Sequence, residues 1–240
     1  MLARRGSSDP MAFVFALGFV AIFVVIAIIQ SLIDERRRKG IRDYCFKHGL
    51  NYSDVAGAVP SNAYSFSILA EKGHTNKWQT EMSGKRGEYS FSIFEHYYVS
   101  GYGKNRHTYT DTICVVTKPR VNMPQFFVRD ENMILDSLGK LFGGQDINFE
   151  EDPTFSRQFV LQGMIERDIR RFFDRKVRST FVTKRTRGYK YEGHRNCFAA
   201  CISGKLNIEE RLALLSNVMK IFREIGTTNN LDEDENDYLS

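Results

Sequence analysis

The sequence predicts an α+β fold, in which one N-terminal transmembrane helix is followed by a mostly antiparallel sheet with two or three packed helices. Three observations predict it. The chain opens with an uncharged apolar run, alternating apolar and polar residues dominate the segments that follow, and helical periodicity is clear near the C-terminus. The regular alternation of strands and helices that is typical of a doubly wound fold is absent from the first half of the chain.

The apolar run at residues 11–29 has the length of a membrane span. At about 1.5 Å of rise per residue it extends about 28 Å, close to the roughly 30 Å of hydrocarbon in a bilayer. A cleaved signal peptide would have a shorter apolar region that ends in a small-x-small site, and no convincing site of that kind follows the run. We therefore predict an uncleaved anchor.

Positive charge is concentrated after this run and predicts its orientation. Arg4 and Arg5 precede the run, whereas the anchor flank that follows it contains Arg36, Arg37, Arg38 and Lys39, with Arg42 and Lys47 further on. Because lysine and arginine are retained on the cytoplasmic side, we predict that the N-terminus faces outward and the domain lies in the cytoplasm. The reducing cytoplasm also suits the four cysteines as buried free thiols.

The remaining boundaries follow from composition and periodicity. A formal charge of +5, 42% hydrophobic residues and 13% aromatic residues suit one folded domain rather than a disordered chain. The predicted units are an N-terminal flank at 1–10, the transmembrane helix at 11–33, a basic juxtamembrane helix at 34–49, the soluble domain at 50–226 and an acidic disordered tail at 227–240. In the juxtamembrane helix, Ile41, Tyr44, Cys45 and His48 share one face, and Gly49 is placed to end the helix.

Segments rich in β-branched and aromatic residues predict the strands. The predicted strands lie at 64–69, 78–83, 88–99, 107–117, 125–129, 154–162, 181–184 and 195–203. Alternation is clearest at 88–99, where Tyr89, Phe91, Ile93, Tyr97 and Val99 share one side. The polar, glycine-containing segment 101–105 is predicted to join 88–99 and 107–117 as a hairpin.

Helical periodicity predicts three further helices. The first covers 131–142, and the second lies at 165–173. The last helix has the strongest local signals, because Asn207 is its predicted N-cap, Glu210 completes a capping box and Gly226 is a natural end. Its apolar stripe contains Leu212, Leu215, Met219, Phe222 and Ile225.

His194, Cys197 and Cys201 carry side chains that bind zinc. The surrounding residues are typical of a strand, in which residues four apart are separated by about 13 Å, too far for one tetrahedral ion. On a continuous strand His194 would also face away from Cys197. We therefore predict a buried strand with small side chains, and neither a metal site nor a cofactor.

No catalytic motif is complete in the sequence. The segment 100–104 has the glycines of a phosphate-binding loop but lacks its spacing and its helix, and no G-x-S-x-G elbow occurs. His96 and His107 flank the predicted hairpin, and with Lys104 and Arg106 they support one alternative hypothesis, an enzyme acting on a membrane-associated or phosphorylated substrate. An ordinary cross-strand pair is the default interpretation of the two histidines, so we assign no catalytic residue.

Basic residues are frequent between residues 167 and 195 and interleave with Tyr189 and Tyr191, a combination typical of polyanion binding. The candidate anion-binding residues are Lys104, Arg106, Arg167, Arg170, Arg171 and Arg175. For a membrane-tethered domain, anionic lipid is the nearer polyanion, which makes nucleic acid the less favoured partner. A solvated helix face beside a charged loop explains the same residues.

The order of these motifs resembles a group of uncharacterised bacterial proteins that have a single membrane anchor and a cytoplasmic α+β domain. The basic helix is followed by a threonine-rich strand at 109–112, a Pro-Gln-Phe segment at 124–126, an Asp-Ile-Asn-Phe segment at 146–149, and 154–163 before a helix. The resemblance covers most of the chain after Arg36. It implies a bacterial inner-membrane protein and implies no activity, ligand or catalytic residue.

Together, the anchor, the patterned core and the lack of a converging catalytic set predict a non-enzymatic interaction or regulatory module at the membrane. Its predicted partners are the lipid bilayer and a protein in the membrane or the cytoplasm, with anionic lipid as a further candidate.

Overall fold

A computed structural model describes residues 10–56, 66–131, 133 and 146–227 of the chain. Within these residues there are a long N-terminal helix, one eight-stranded antiparallel sheet and several shorter helices, which confirms the predicted α+β class. The predicted helix at 131–142 lies outside the described residues except for 131 and 133. The predicted tail lies outside them from residue 228 onward.

Helix α1, Pro10–Lys47, runs without a break from the apolar segment into the domain. Its most apolar window has a mean hydropathy of 2.4 and is not buried by protein, so by length and composition the helix could cross a membrane. At its other end Ile41 and Cys45 have no exposed surface and belong to the domain core. Gly49, with a φ of +65°, ends the helix as predicted.

The strands form one sheet with the order β1-β2-β3-β4-β8-β7-β5-β6, and each neighbouring pair is antiparallel. Their bounds are β1 Asn51–Val55, β2 His74–Arg86, β3 Tyr89–Ser100, β4 His107–Thr117, β5 Met123–Asp130, β6 Phe159–Gly163, β7 Lys190–Arg195 and β8 Cys197–Ser203. The predicted hairpin is β3 and β4, with Ser100 opposite His107.

The sheet buries both of its faces. One face, the helix face, packs Phe91, Ile93 and Phe198 against helices. The shorter helices are α2 Pro153–Ser156, α3 Glu166–Phe172, α4 Arg175–Thr183 and α5 Ile208–Gly226. The opposite face, the turn face, carries a smaller core around Phe94 that is covered by a 3-10 turn, Ser67–Leu69. Helix α5 begins with the predicted capping box of Asn207 and Glu210.

The two ends of the sheet differ in their relation to α1. Asp34 of α1 contacts Lys205, which follows β8, whereas Leu50 lies against Gly84, which pairs with Phe91. Helix α1 therefore runs along the strands, and its apolar part lies toward the end at which β3 turns into β4. We call this the proximal end of the sheet and the opposite one the distal end.

Two of the predicted strands are partly or wholly replaced by turns and helix. Residues 66–69 of the predicted strand 64–69 include the 3-10 turn, because the backbone amides of Ser67 and Ile68 turn toward Glu192; residues 64–65 lie outside the described residues. The predicted strand 154–162 starts as α2 because Asp152 caps that helix and Pro153 occupies its first turn.

Two more strand predictions, 181–184 and 195–203, differ from the structure, the first entirely and the second only at its start. Residues 181–183 are the last turn of α4, which Asp174 caps and which buries Val177 and Phe181 four residues apart. The predicted strand 195–203 is confirmed as β8 from Cys197 to Ser203, but it starts two residues later, because Arg195 adopts a φ of +52° in the turn between β7 and β8. The sequence patterns also missed β1 and β7.

Candidate functional site

Glu95 is a fully buried carboxylate on the helix face of β3, in the same row as Phe91 and Ile93. Arg211 of α5 donates from Nη2 to Oε1 of Glu95 at 2.5 Å. Arg37 of α1 donates from Nη1 to Oε1 at 2.5 Å and from Nη2 to Oε2 at 3.2 Å. Charge-assisted bonds of this kind are what a carboxylate needs in an apolar interior. One side chain thus joins α1, the sheet and α5.

Arg211 has no exposed surface and is held from several directions. Its Nη1 donates to the carbonyl oxygens of Thr80 at 2.8 Å and Ile93 at 3.2 Å. Thr80 lies within a register shift of β2, with a φ of +54°. Such an irregularity frees a carbonyl from the sheet ladder, and here the freed carbonyl accepts from the buried arginine. Burial lowers the pKa of Arg211, and the charge of Glu95 opposes that shift.

The network continues along α1 to the end of the apolar segment. Asp34 accepts from Arg37 Nε at 3.0 Å and from Lys205 Nζ at 2.8 Å. We call Asp34, Arg37, Glu95, Lys205 and Arg211 the coupling cluster. Its charges are nearly balanced, and removal of one buried partner would leave an uncompensated charge. The cluster therefore fixes the direction in which α1 leaves the domain.

The predicted anchor flank divides into two kinds of residue. Arg37 points inward and keeps only 11% of its side chain exposed, whereas Arg36, Arg38 and Lys39 are exposed. One turn of helix thus places a single arginine against the domain and leaves three cations at the surface.

The turn face contains a second fully buried carboxylate, Glu192 of β7. It accepts from Ser67 N at 2.9 Å, from Ser67 Oγ at 2.8 Å and from Ile68 N at 3.1 Å. These donors are neutral, in contrast to the arginines at Glu95. Burial raises the pKa of Glu192 to about 7, and the hydrogen bonds from Ser67 and Ile68 limit the shift. Glu192 therefore holds the 3-10 turn against the sheet.

His96 lies on the turn face of β3 in an aromatic stack. Its ring is 3.9 Å from Trp78 and nearly parallel to it, and its Nε2 is 2.7 Å from Asn76 Oδ1. Asn76 Oδ1 also accepts from the backbone of Lys72, so Nε2 of His96 is the donor. Burial and the nearby charge of Lys72 lower the pKa of His96 to about 4. The ring is therefore neutral at neutral pH.

The four residues of the enzyme hypothesis do not converge on one site. His96 pairs with Asp111, and His107 pairs with Ser100 four residues further along β3, about 13 Å away. His96 is buried, whereas His107, Lys104 and Arg106 are exposed around the proximal end of the hairpin. No shared cleft brings His96 to the other three within the described part of the chain.

The candidate anion-binding residues fall at opposite ends of the sheet. Lys104 and Arg106 lie at the proximal end, in the β3–β4 connection. Arg167 follows the distal end of β6, and Arg175 adjoins Lys176, which contacts Thr227 at the distal end of α5. Arg170 pairs with Glu166 at 2.7 Å, and Arg171 is exposed next to it.

The basic segment 167–195 also returns toward the proximal end. Arg185 bonds Asp130, the last residue of β5, at 2.8 Å, and the carboxylate of Asp130 also accepts from Gly188 N. Arg178 has only 8% of its side chain exposed and stacks over Phe149 at 4.2 Å. The segment therefore does not present one continuous basic surface.

His194 and Cys197 are direct cross-strand partners on the turn face, so the prediction that they face opposite ways is wrong. The two-residue turn between β7 and β8 explains the difference, because the segment is a hairpin and not one strand. Burial raises the pKa of Cys197 and of Cys201 to about 12, so both side chains are thiols at neutral pH, the form that is a poor nucleophile. Among the described residues no three His, Cys, Asp or Glu side chains are grouped to hold a metal ion.

Comparisons with known proteins add little to this geometry. No protein-family model and no curated protein matches the chain. A solved structure, the mycobacterial trehalose monomycolate transport factor A, superposes with a TM-score of 0.48 and 12% sequence identity, covering 78% of this chain and 93% of that one. At this score and identity the likeness is too weak to assign a shared function.

Proposed function

We propose that this chain is a single-pass membrane protein of the bacterial inner membrane, whose cytoplasmic α+β domain is a non-enzymatic interaction module. The continuity of α1 carries the proposal. The helix exposes large apolar side chains in its first half, such as Phe19 at 64% and Phe23 at 69%, and the same helix enters the domain core at Ile41. An apolar surface of that length needs lipid or protein around it.

The coupling cluster supports an anchor that stays attached. Because Asp34 and Arg37 bond residues of the domain, a signal-peptide cleavage at the end of the apolar run would cut the helix beside its own contacts. The exposed cations Arg36, Arg38 and Lys39 favour a cytoplasmic domain. We accordingly retain the predicted units, with the span at 11–33 and the soluble domain at 50–226.

The same cluster favours an interaction module over a freely tethered domain. A domain on a flexible linker samples many orientations, whereas a domain clamped to its anchor presents one surface at a fixed height above the bilayer. Pre-organisation of that kind lowers the cost of binding a partner that is itself held in the membrane. A protein partner in the membrane or at its surface is the class that this geometry suits.

Cysteine accessibility tests the topology. A Ser8→Cys variant and a Lys220→Cys variant would be treated with a membrane-impermeant maleimide in intact cells and after lysis, with the buried native thiols as a low background. We expect Ser8→Cys to react in intact cells and Lys220→Cys only after lysis. The reverse pattern would contradict the orientation, and release of the protein by alkaline carbonate would contradict the anchor.

Co-purification tests the role. The intact protein would be isolated in mild detergent at low and at high salt, and the retained molecules would be identified. We expect a protein partner that survives high salt. If nothing is retained in either condition, the interaction module is wrong and an enzymatic function becomes the better hypothesis.

A further inference from the structure

We infer that the tip of the β3–β4 hairpin, residues 101–107, docks on phosphate headgroups of the same bilayer that holds α1. The inference rests on the proposed function, because it requires α1 to span the membrane. It adds a second membrane contact to the domain and assigns that contact to named side chains.

The tip of the hairpin lies at the level of the membrane surface, measured along α1. Arg37 and Glu95 are bonded and so lie at one level of the domain. Ser100 lies five residues beyond Glu95 on β3, about 17 Å toward the proximal end. Residue 29, where the apolar run ends, precedes Arg37 by eight residues, or about 12 Å of helix. Since α1 runs along the strands, the tip extends past the levels of residue 33, where the predicted span ends, and residue 29, where the apolar run ends, so it reaches the membrane surface.

The tip of the hairpin is positively charged. Lys104 and Arg106 are exposed in the tip, with exposed His107 beside them. The sequence has no aspartate or glutamate between Glu95 and Asp111, so the tip carries no carboxylate to neutralise these cations. The cytoplasmic leaflet has a negative surface potential that attracts basic segments of this kind.

The aromatic residues of the hairpin fit the same partner. Tyr102 is 79% exposed, and Tyr109 is 44% exposed. Tyrosine is enriched at the headgroup level of membrane proteins because its ring tolerates apolar surroundings while its hydroxyl remains hydrated.

The tip is built as a fixed structure. Gly101 has a φ of +75°, and a Cβ there would lie 2.1 Å from the Asn105 carbonyl oxygen, so glycine is required. His74 Nε2 is 3.0 Å from the Gly101 carbonyl oxygen, and its ring lies 4.6 Å from that of Tyr102. The exposed ring is therefore held by β2 before it meets lipid.

The distal end supplies a matched control. Met164 is 72% exposed after β6, and Gly163 connects through the sheet register to Phe91, nine residues below Ser100. The two exposed side chains are thus separated by about 30 Å along the strands. Arg167 and Arg175 are exposed near that end, and this pair carries the same positive charge as Lys104 and Arg106.

The test uses the full chain in vesicles of zwitterionic lipid with about 30% phosphatidylglycerol, a lipid content chosen to give a clear surface potential. Tyr102→Cys and Met164→Cys variants would carry an environment-sensitive fluorophore, and lipids brominated near the headgroup would serve as quenchers. We expect the probe at position 102 to be quenched and the probe at position 164 not to be. Equal quenching, or none at position 102, would overturn the inference.

Charge reversal tests the headgroup chemistry. We expect Lys104→Glu with Arg106→Glu to abolish the quenching at position 102, since each basic residue near the surface shifts the docked fraction by roughly fivefold. Arg167→Glu with Arg175→Glu should leave it unchanged. If both pairs behave alike, the tip does not recognise headgroups.

Carbonate extraction of the same vesicles separates the two proposals. A protein that resists extraction but shows no quenching at position 102 retains its anchor and lacks the docked tip. A protein that is extracted has lost the anchor as well, and the proposed function fails with the inference.

Discussion

Glu95 and Glu192 are both fully buried in the same sheet, on opposite faces, yet they are held by different chemistry. Two arginines from separate helices pair with Glu95, whereas Glu192 accepts hydrogen bonds from a serine hydroxyl and two backbone amides. The arginines tie Glu95 to two helices through charge-assisted hydrogen bonds. The donors at Glu192 are neutral, and burial raises the pKa of that carboxyl to about 7, so its contact depends on pH.

The two sites also act on different parts of the molecule. Glu95 holds the anchor helix, and Glu192 holds the 3-10 turn, Ser67–Leu69, over the smaller core. The coupling cluster determines how α1 leaves the domain, while Glu192 determines how the turn face of the sheet is closed. Substitutions at the two sites should therefore have different consequences for stability.

Replacement of Glu95 has the largest expected effect. In Glu95→Gln the arginines lose a buried counter-charge, and we expect the free energy of unfolding to fall by about 3–5 kcal/mol. Denaturant unfolding in detergent would measure the loss. Glu88→Gln is the control, because Glu88 keeps 77% of its side chain exposed and its substitution should change stability by less than about 0.5 kcal/mol. Similar losses of stability in the two variants would show that the buried ion pairs of Glu95 do not stabilise the fold.

Glu192 should give stability an opposite dependence on pH from that of an ordinary ion pair. Its pKa is about 7 in the folded protein, above the ordinary value of 4.5, so the folded state holds the proton more tightly. The stabilisation is fully present below pH 4.5 and is lost as pH rises through 7. The shift corresponds to about 3 kcal/mol at most.

The comparison for this prediction is Glu192→Gln, which cannot titrate. Between about pH 4.5 and 8 the wild type should lose stability relative to the variant. His96, with its pKa of about 4, changes stability in the opposite direction below pH 6.5, and it does so equally in both proteins. A difference between the two proteins that does not vary with pH would show that folding does not raise the pKa of Glu192.

Substitution of the neighbouring residues Arg37 and Arg36 distinguishes a buried ion pair of the coupling cluster from an exposed surface charge. We expect Arg37→Met to lower the free energy of unfolding by about 2 kcal/mol, because Glu95 keeps Arg211 but loses one cation. Arg36→Met, at an exposed position, should have an effect within about 0.5 kcal/mol. Thermal or denaturant unfolding of the two variants gives the comparison, and equal stabilities would contradict it.

Ser67 should have the smallest effect of the set. Ser67→Ala removes the hydroxyl that donates to Glu192 at 2.8 Å and leaves both backbone amides in place. We expect a loss of about 1–2 kcal/mol. The exposed Ser100→Ala is the control, with an expected change below about 0.5 kcal/mol. A loss at Ser67 as small as that at Ser100 would show that the amides alone hold the turn.

The sequence predicted the fold where the signal is local. The alternation at 88–99 predicted β3 and its inward row, and the capping box predicted the start of α5. Strand predictions failed at 181–184 and in the first part of 154–162, before β6 begins at Phe159. Asp174 and Asp152 cap short helices there, and β-branched and aromatic residues suit a buried helix as well as a strand.

The pairing of residues in the coupling cluster could not be predicted from the sequence, for a different reason. Glu95 stands at an inward position of β3, and Arg211 lies four residues before Leu215 in the apolar stripe of α5, so each is a charged residue on a buried face. Their pairing spans 116 residues, and that of Arg37 with Glu95 spans 58. Periodicity identifies which face a residue occupies, but the order of strands in the sheet decides which residues meet.

Closeness in sequence was equally misleading for the basic residues. Arg167 and Arg185 belong to one basic segment, yet α3 and α4 carry them to opposite ends of the sheet. Lys104 and Arg106, far away in sequence, lie with Arg185 at the proximal end. The surface that a partner meets is set by the topology and not by the density of charge along the chain.

A distance measurement between α1 and α5 shows whether the coupling cluster clamps the domain to its N-terminal helix. Spin labels would be placed on exposed positions of α1 and α5 in a Glu35→Cys, Lys220→Cys double variant, reconstituted in nanodiscs and studied by pulsed electron paramagnetic resonance. We predict one narrow distance distribution, which broadens when Arg37→Met is added. A broad distribution in the protein with an intact coupling cluster would show that the domain moves freely on α1, which would contradict the clamp.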